Sequence, residues 1–253
     1  MLLKSFKCEK LNVKGFDTRD NMGRDAANDV AVTLRRLLAE KDEVNMIFAA
    51  APSQNDLLYH LCREKDIEWE RVNAFHMDEY IGLPAGAPQC FSNFLENAVF
   101  SKLPFKSVNK IDASATDADK EAARYTELLK KYPVDIVCLG IGENGHIAFN
   151  DPGVADFNDT KLVKRAELDI VCRQQQVNDG CFEKLDDVPE YALTLTVPAL
   201  TNGKYLFCVV PGPTKTEAVT RMLTEEINDG CPCTILRVHD NATLYCDSDS
   251  LKV

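Results

Sequence analysis

One histidine, set among glycines and carboxylates, is the first feature of this chain that could do chemistry. It is His146, in the run L-G-I-G-E-N-G-H-I-A-F-N-D-P at residues 139–152, which also holds Gly140, Gly142, Gly145 and Asp151. A histidine exchanges protons near neutral pH, and a nearby carboxylate can orient the ring and support its charge. Glycines let the backbone turn sharply and approach a ligand closely. A run of this kind in isolation is more often structural than catalytic, so it needs a second group. M-D-E-Y, residues 77–80, offers one. Adjacent side chains on a strand point to opposite faces, so only one of Asp78 and Glu79 faces a given cleft. A carboxylate and an imidazole at two strand ends of one sheet make a general base and general acid.

A cation suited to an anionic ligand sits further on. Lys215, in G-P-T-K-T-E-A-V at 212–219, falls in the first turn of an expected helix. A positive charge there opposes the helix dipole, and a bound phosphate would reverse that penalty. Arg173, in C-R-Q-Q-Q, is a second candidate cation with a weaker case. The turn A-P-S-Q-N, residues 51–55, lies between a strand and a helix, where backbone N–H groups face an anion, but it contains no glycine.

The elements that must position these groups follow from hydrophobic periodicity. Residues 20–40 read as an amphipathic helix, with Ala27, Val30, Ala31, Leu34, Leu37 and Leu38 on one face. Val44 to Ala51 is a buried strand, Asn55 to Glu64 a helix, and Arg71 to His76 a second strand. Helices are expected at 89–100, 116–131 and about 214–227. Val134 to Leu139, Tyr191 to Val197, Tyr205 to Val210, Thr234 to His239 and Thr243 to Cys246 read as further strands, with a short edge strand in residues 1–15. Residues 153–190 are polar and irregular, apart from one candidate short helix, and form the candidate lid or insertion. Strands alternating with helices predict an α/β fold: one domain over residues 1–253, an open and mostly parallel sheet with helices on both faces.

Composition narrows the function classes. At 253 residues the chain can bury roughly 70–75% of its unfolded surface, so it needs no disulfide staples. A net charge of −11 argues against nucleic acid or an anionic membrane as partner, while leaving room for a local cationic pocket. The ten cysteines are scattered without paired C-x-x-C motifs. Cys138 and Cys208 fall in apolar runs, where a reduced thiol acts as a small hydrophobe. No signal peptide or membrane span is expected, and the chain reads as a reduced, soluble, cytoplasmic protein. Whether copies form a homo-oligomer is not legible in the sequence.

M-D-E-Y-I-G-L at 77–83 and L-G-I-G-E-N-G-H-I-A-F-N-D-P at 139–152 resemble the glucosamine-6-phosphate deaminase (isomerase) family. V-P-E-Y-A-L-T at 188–194 and G-P-T-K-T-E-A-V at 212–219 extend the resemblance. It implies aldose–ketose isomerisation of an amino-sugar phosphate with loss of ammonia, giving fructose 6-phosphate, without a metal or cofactor. Asp78 would then move a proton between C2 and C1, and His146 would assist ring opening with Asp151 holding its imidazole. Lys215 would grip the phosphate together with Ser53, Gln54 and Asn55. Gly145, in the same motif, is a candidate contact to the substrate, and Arg173 is the candidate for a further phosphate contact. The chain departs from the family pattern at three places. A-A-A-P-S-Q-N stands where many members have a glycine- and threonine-rich phosphate loop, Asn144 where the best-known pattern has Asp, and Asp151 where Glu is common. These departures keep a related lactonase and a non-catalytic sugar-phosphate sensor as alternatives, and the galactosamine epimer as an alternative substrate.

Overall fold

Short runs buried on both faces build the main sheet, and the helices between them cover it. The computed structural model describes residues 1–252 apart from 85, 169 and 179, and the backbone alone at 171 and 172. A hairpin opens the chain, β1 (Leu2–Cys8) and β2 (Leu11–Phe16), with Glu9 at φ 52 in the turn. Helix α1 (Arg19–Glu40) starts at Thr18, whose hydroxyl accepts the Asn21 N–H, and buries a stripe from Met22 to Leu38. Strand β3 (Val44–Phe48) leads through a 3₁₀ turn at Pro52–Gln54 into α2 (Asn55–Leu61). Met77 alone separates β4 (Val72–His76) from β5 (Asp78–Tyr80). After α3 (Phe91–Leu95) come β6 (Ser107–Asn109) and α4 (Ala118–Lys131), which is capped by the Asp117 carboxylate on the Lys120 N–H. The second half holds β7 (Ile136–Leu139), β8 (Val163–Glu167), α5 (Ile170–Asn178) and β9 (Tyr191–Leu195). It ends with α6 (Val197–Thr201), β10 (Tyr205–Val210), α7 (Thr216–Thr224) and β11 (Ala242–Asp247).

The eight-stranded sheet runs β1-β2-β11-β10-β7-β3-β4-β6 and is parallel except for β1, which is antiparallel to β2. From β3 the chain winds outward through β4 and β6, then returns to β7 on the other side of β3 and winds outward again through β10 and β11. The winding direction therefore reverses between β3 and β7, and such a reversal opens a crevice at the carboxyl ends of the two strands. Alternation along each strand divides the core in two. Met46 and Phe48 of β3 pack with α1 and α2 on one face, while Ile47 packs with Tyr125 of α4 and Val219 and Met222 of α7 on the other. The protein is a single α/β domain of Rossmann-like type.

A second, three-stranded antiparallel sheet, β5-β9-β8, sits beside this crevice. Its register places Asp78 opposite Thr194. At the opposite end of the main sheet, buried Asp135 accepts from Lys41 Nζ at 2.6 Å and from the Asn45 N–H at 3.1 Å. Lys204 Nζ lies 3.2 Å from the same carboxylate.

Several expectations from sequence are corrected. Residues 234–239 are not a strand: all but His239 belong to a 3₁₀ helix, Pro232–Val238. Pro232 starts it, and the Thr234 hydroxyl closes it locally by donating to Cys231 O at 2.7 Å. Tyr191–Leu195 is a strand of the small antiparallel sheet rather than of the parallel one. The segment 153–190, read as irregular apart from one short helix, has that helix as α5 and also contains the unexpected strand β8; its residues 169 and 179 lie outside the described residues. The edge strand expected in residues 1–15 is present as β1, and it is joined in a hairpin to β2, which pairs in parallel with β11. The helix expected over 89–100 is α3 followed by a π-helical turn, Glu96–Phe100. Strand β6 escaped notice because three residues with mostly polar side chains carry no periodicity.

Candidate active site

A cavity of about 580 Å³ occupies the crevice where the winding reverses. The rims after β3, β4, β7 and β10 all contribute: Ala49–Ser53, Met77–Asp78, Gly140–Gly142 and Pro211–Gly212. Phe91, Phe94 and Phe149 supply an aromatic side, and Gln175 and Gln176 of α5 reach it from the segment read as a lid. Gln175 Oε1 accepts the Glu143 N–H at 3.2 Å, which ties α5 to the loop carrying His146.

Asp78 lines this cavity with only 7% of its surface exposed. Burial, and then the neighbouring Glu79 charge, hold its carboxyl well above the usual carboxylate range. Strand alternation turns Glu79 the other way, where it accepts the Phe91 and Ser92 N–H groups at 2.9 and 2.8 Å and caps α3. Two residues upstream, His76 is fully buried. Its Nε2 accepts the Ile111 N–H at 2.8 Å, and burial pushes its pKa down to about 3. A ring nitrogen that accepts is unprotonated, so His76 is the neutral tautomer and not the proton carrier. The Tyr125 hydroxyl donates to His76 O at 2.9 Å and accepts from the His76 N–H at 3.0 Å, so α4 fixes the backbone just before Asp78.

His146 lines the cavity as well, and its Nδ1 lies 2.9 Å from Asp151 Oδ1. That leaves Nε2 as the nitrogen available to a bound molecule. Asn144 holds the pair together: its Nδ2 donates to Asp151 Oδ1 at 2.8 Å and its Oδ1 accepts the His146 N–H at 3.0 Å. Gly142 and Gly145 make room for neighbouring protein atoms, and Gly142 also lines the cavity. A Cβ at Gly142 would lie 2.1 to 2.3 Å from three atoms of the His146 ring. Gly145 adopts φ 88 outside the cavity wall, and a Cβ there would lie 2.7 Å from Cys231 Sγ. The expectation that Gly145 approaches the ligand is thereby corrected.

Strand β9 connects the two halves of this arrangement. It pairs with Asp78 through Thr194, whose hydroxyl also accepts the Phe149 N–H at 3.0 Å. Asn150 Nδ2 donates to Leu195 O at 2.8 Å. One short strand thus holds both the M-D-E-Y segment and the His146–Asp151 loop. Thr194 lies in the V-P-E-Y-A-L-T motif, but nothing local in the sequence reveals this bridging role.

The residues expected to hold an anion are only partly brought together. Ser53 and Lys215 line the cavity. Gln54 is buried instead, its amide donating to Val209 O at 3.2 Å, and Asn55 is exposed outside the cavity wall. Arg173 also faces away, donating to Leu185 O and Val188 O at 3.0 and 2.9 Å. It therefore pins residues 185–188. Arg19, at the start of α1, is the cationic lining residue that sequence reasoning missed. It lies 34 positions before Ser53, and no motif marks it.

The chain is a doubly wound α/β domain with titratable side chains gathered at its switch point. The chain belongs to the family described as glucosamine-6-phosphate isomerases/6-phosphogluconolactonase, whose profile matches residues 17–245. It is 35% identical over 196 residues to a glucosamine-6-phosphate deaminase of Bacillus cytotoxicus, covering 78% of this chain and 73% of that protein. A monomeric glucosamine-6-phosphate deaminase of solved structure superposes with a TM-score of 0.85 at 26% identity, over 94% of this chain and 98% of the other. A 6-phosphogluconolactonase from Thermotoga maritima shares the fold, with a TM-score of 0.76 at 20% identity over 93% and 99% of the two chains. The family acts on sugar phosphates by isomerisation with deamination or by a related hydrolysis. Among the described residues no helix is long and apolar enough to cross a membrane.

Proposed function

We propose that this protein converts glucosamine 6-phosphate to fructose 6-phosphate and ammonia. The observation that carries the reading is a desolvated carboxylate, Asp78, sharing one cavity with an imidazole backed by a carboxylate, His146–Asp151. The 35% identity to a glucosamine-6-phosphate deaminase supports the same assignment.

His146 Nε2 first moves a proton at the ring oxygen, opening the sugar to its aldehyde form. Asp78 then takes the proton from C2 while O1 gains the proton that the C2 ammonium loses, leaving an enolamine across C1 and C2, and Asp78 returns its proton to C1. The result is a C1 alcohol and a C2 iminium. Water adds to C2 and ammonia departs, leaving the ketone of fructose 6-phosphate. Each step needs proton movement at fixed positions, and a base with a raised pKa is a stronger acceptor once ionised. Asn144 serves by position: it holds Asp151 against the ring and contributes no acid–base group of its own.

The test follows ammonia and fructose 6-phosphate in parallel from glucosamine 6-phosphate. Equal appearance of both is the expected result. No product from this sugar or its galactosamine epimer would overturn the reading. Hydrolysis of a phosphosugar lactone without ammonia would move the chain to the lactonase reaction, and sugar-phosphate binding without turnover to a sensor.

A further inference from the structure

Building on the sugar-phosphate reading above, we propose that Arg19 is a phosphate-gripping residue of the cavity, acting with Lys215 and the Ser53 hydroxyl. Part of the backbone in the turn after β3 is withdrawn from an anion. Pro52 has no N–H, the Gln54 N–H donates to Ala51 O at 2.9 Å, and the Asn55 N–H is directed to Pro52 O. Gln54 and Asn55 also direct their side chains elsewhere. A phosphomonoester in this cavity therefore calls for side-chain cations beside Ser53 and the remaining N–H groups of the turn.

Arg19 is built into that position. Its Nε donates to Asp56 and one Nη to Pro52 O, so the guanidinium is fixed to the same turn that presents Ser53. These two bonds use two of its five N–H donors, leaving the fork able to meet phosphate oxygens. One helical turn further along, α1 presses directly on α2. A Cβ at Gly23 would lie 2.4 Å from the Asp56 Cβ, so only glycine permits this approach. The close contact brings the start of α1 over the cavity mouth. Arg19 and Lys215 each stand at the start of a helix, α1 and α7, where a cation opposes the dipole. A phosphate between them turns both placements favourable.

Calorimetry with inorganic phosphate, alongside KM for glucosamine 6-phosphate, tests this in the wild type, Arg19→Met and Arg19→Lys. Arg19→Met should weaken phosphate binding and raise KM by about 10- to 100-fold, the range for one charge-assisted contact, with kcat within a few-fold. Arg19→Lys should recover part of the affinity, because it keeps the charge and loses the fork. If Arg19→Met fails to fold, Arg19→Gln replaces it. Unchanged phosphate affinity in the substituted protein would overturn the proposal, as would a fall in kcat at constant KM or a wild type that does not bind phosphate. Arg19-dependent phosphate binding without ammonia release would sink the reaction instead and leave this assignment standing.

Discussion

Burial decides what the Asp78 carboxylate can do. It stands in the cavity wall with the Glu79 charge next to it, and both effects hold its pKa well above 3.8. In its proposed role as base it must be ionised, so the acid limb of kcat/KM should lie above the usual carboxylate range. Stability should run the other way. Between 3.8 and the raised native value the folded protein holds the extra proton, so the Asp78 contribution is lost as pH rises through that window. Asp78→Asn should therefore lower kcat by about 10²- to 10⁴-fold while raising the melting temperature at neutral pH. Turnover and melting profiles of the two proteins from pH 4 to 9 check both signs. A substituted protein that melts lower and still releases ammonia would remove Asp78 from the role of base.

At the scale of elements, the loop from β7 shows how a motif folds back on itself. Gly142 and His146 are close in sequence, and the ring occupies the space a side chain at 142 would need. Gly142→Ala should push the imidazole off Asp151 and lower kcat by roughly 100-fold, in keeping with the loss of one positioned acid–base group. Melting should report a folded protein, and the His146 ring resonances in NMR should shift. The run 139–152 was legible because its strand, turn and histidine are all local. The role of its glycines was not, since ring and thiol contacts depend on three-dimensional proximity. Arg173 shows the same limit: its residue type suggested an anion ligand, but α5 aims its guanidinium at the carbonyls of Leu185 and Val188.

For the molecule as a whole, the two ends of the sheet have different tasks. The carboxyl ends of its strands carry the cavity, and the amino ends carry Asp135 with Lys41, Lys204 and the Asn45 N–H. Asp135→Ala leaves a buried N–H without its acceptor and removes charge-assisted bonds, so stability should fall by about 2–3 kcal/mol. Because this cluster is remote from the cavity, kcat per folded molecule should stay within a factor of two. Urea unfolding and active-site-normalised turnover separate the two effects, and an equal loss in both would contradict the division of labour.

The α/β alternation, the buried strands and the motifs around Asp78, His146 and Lys215 are all visible in the chain, because hydrophobic period and turn chemistry act over a few residues. The small antiparallel sheet, the 3₁₀ helix at Pro232–Val238 and the bridging by Thr194 belong to tertiary structure. So does the arrival of Arg19 beside Ser53, across a contact that requires Gly23 against Asp56. Local sequence sets which way a side chain leaves its element. Only packing between distant elements sets what that side chain meets.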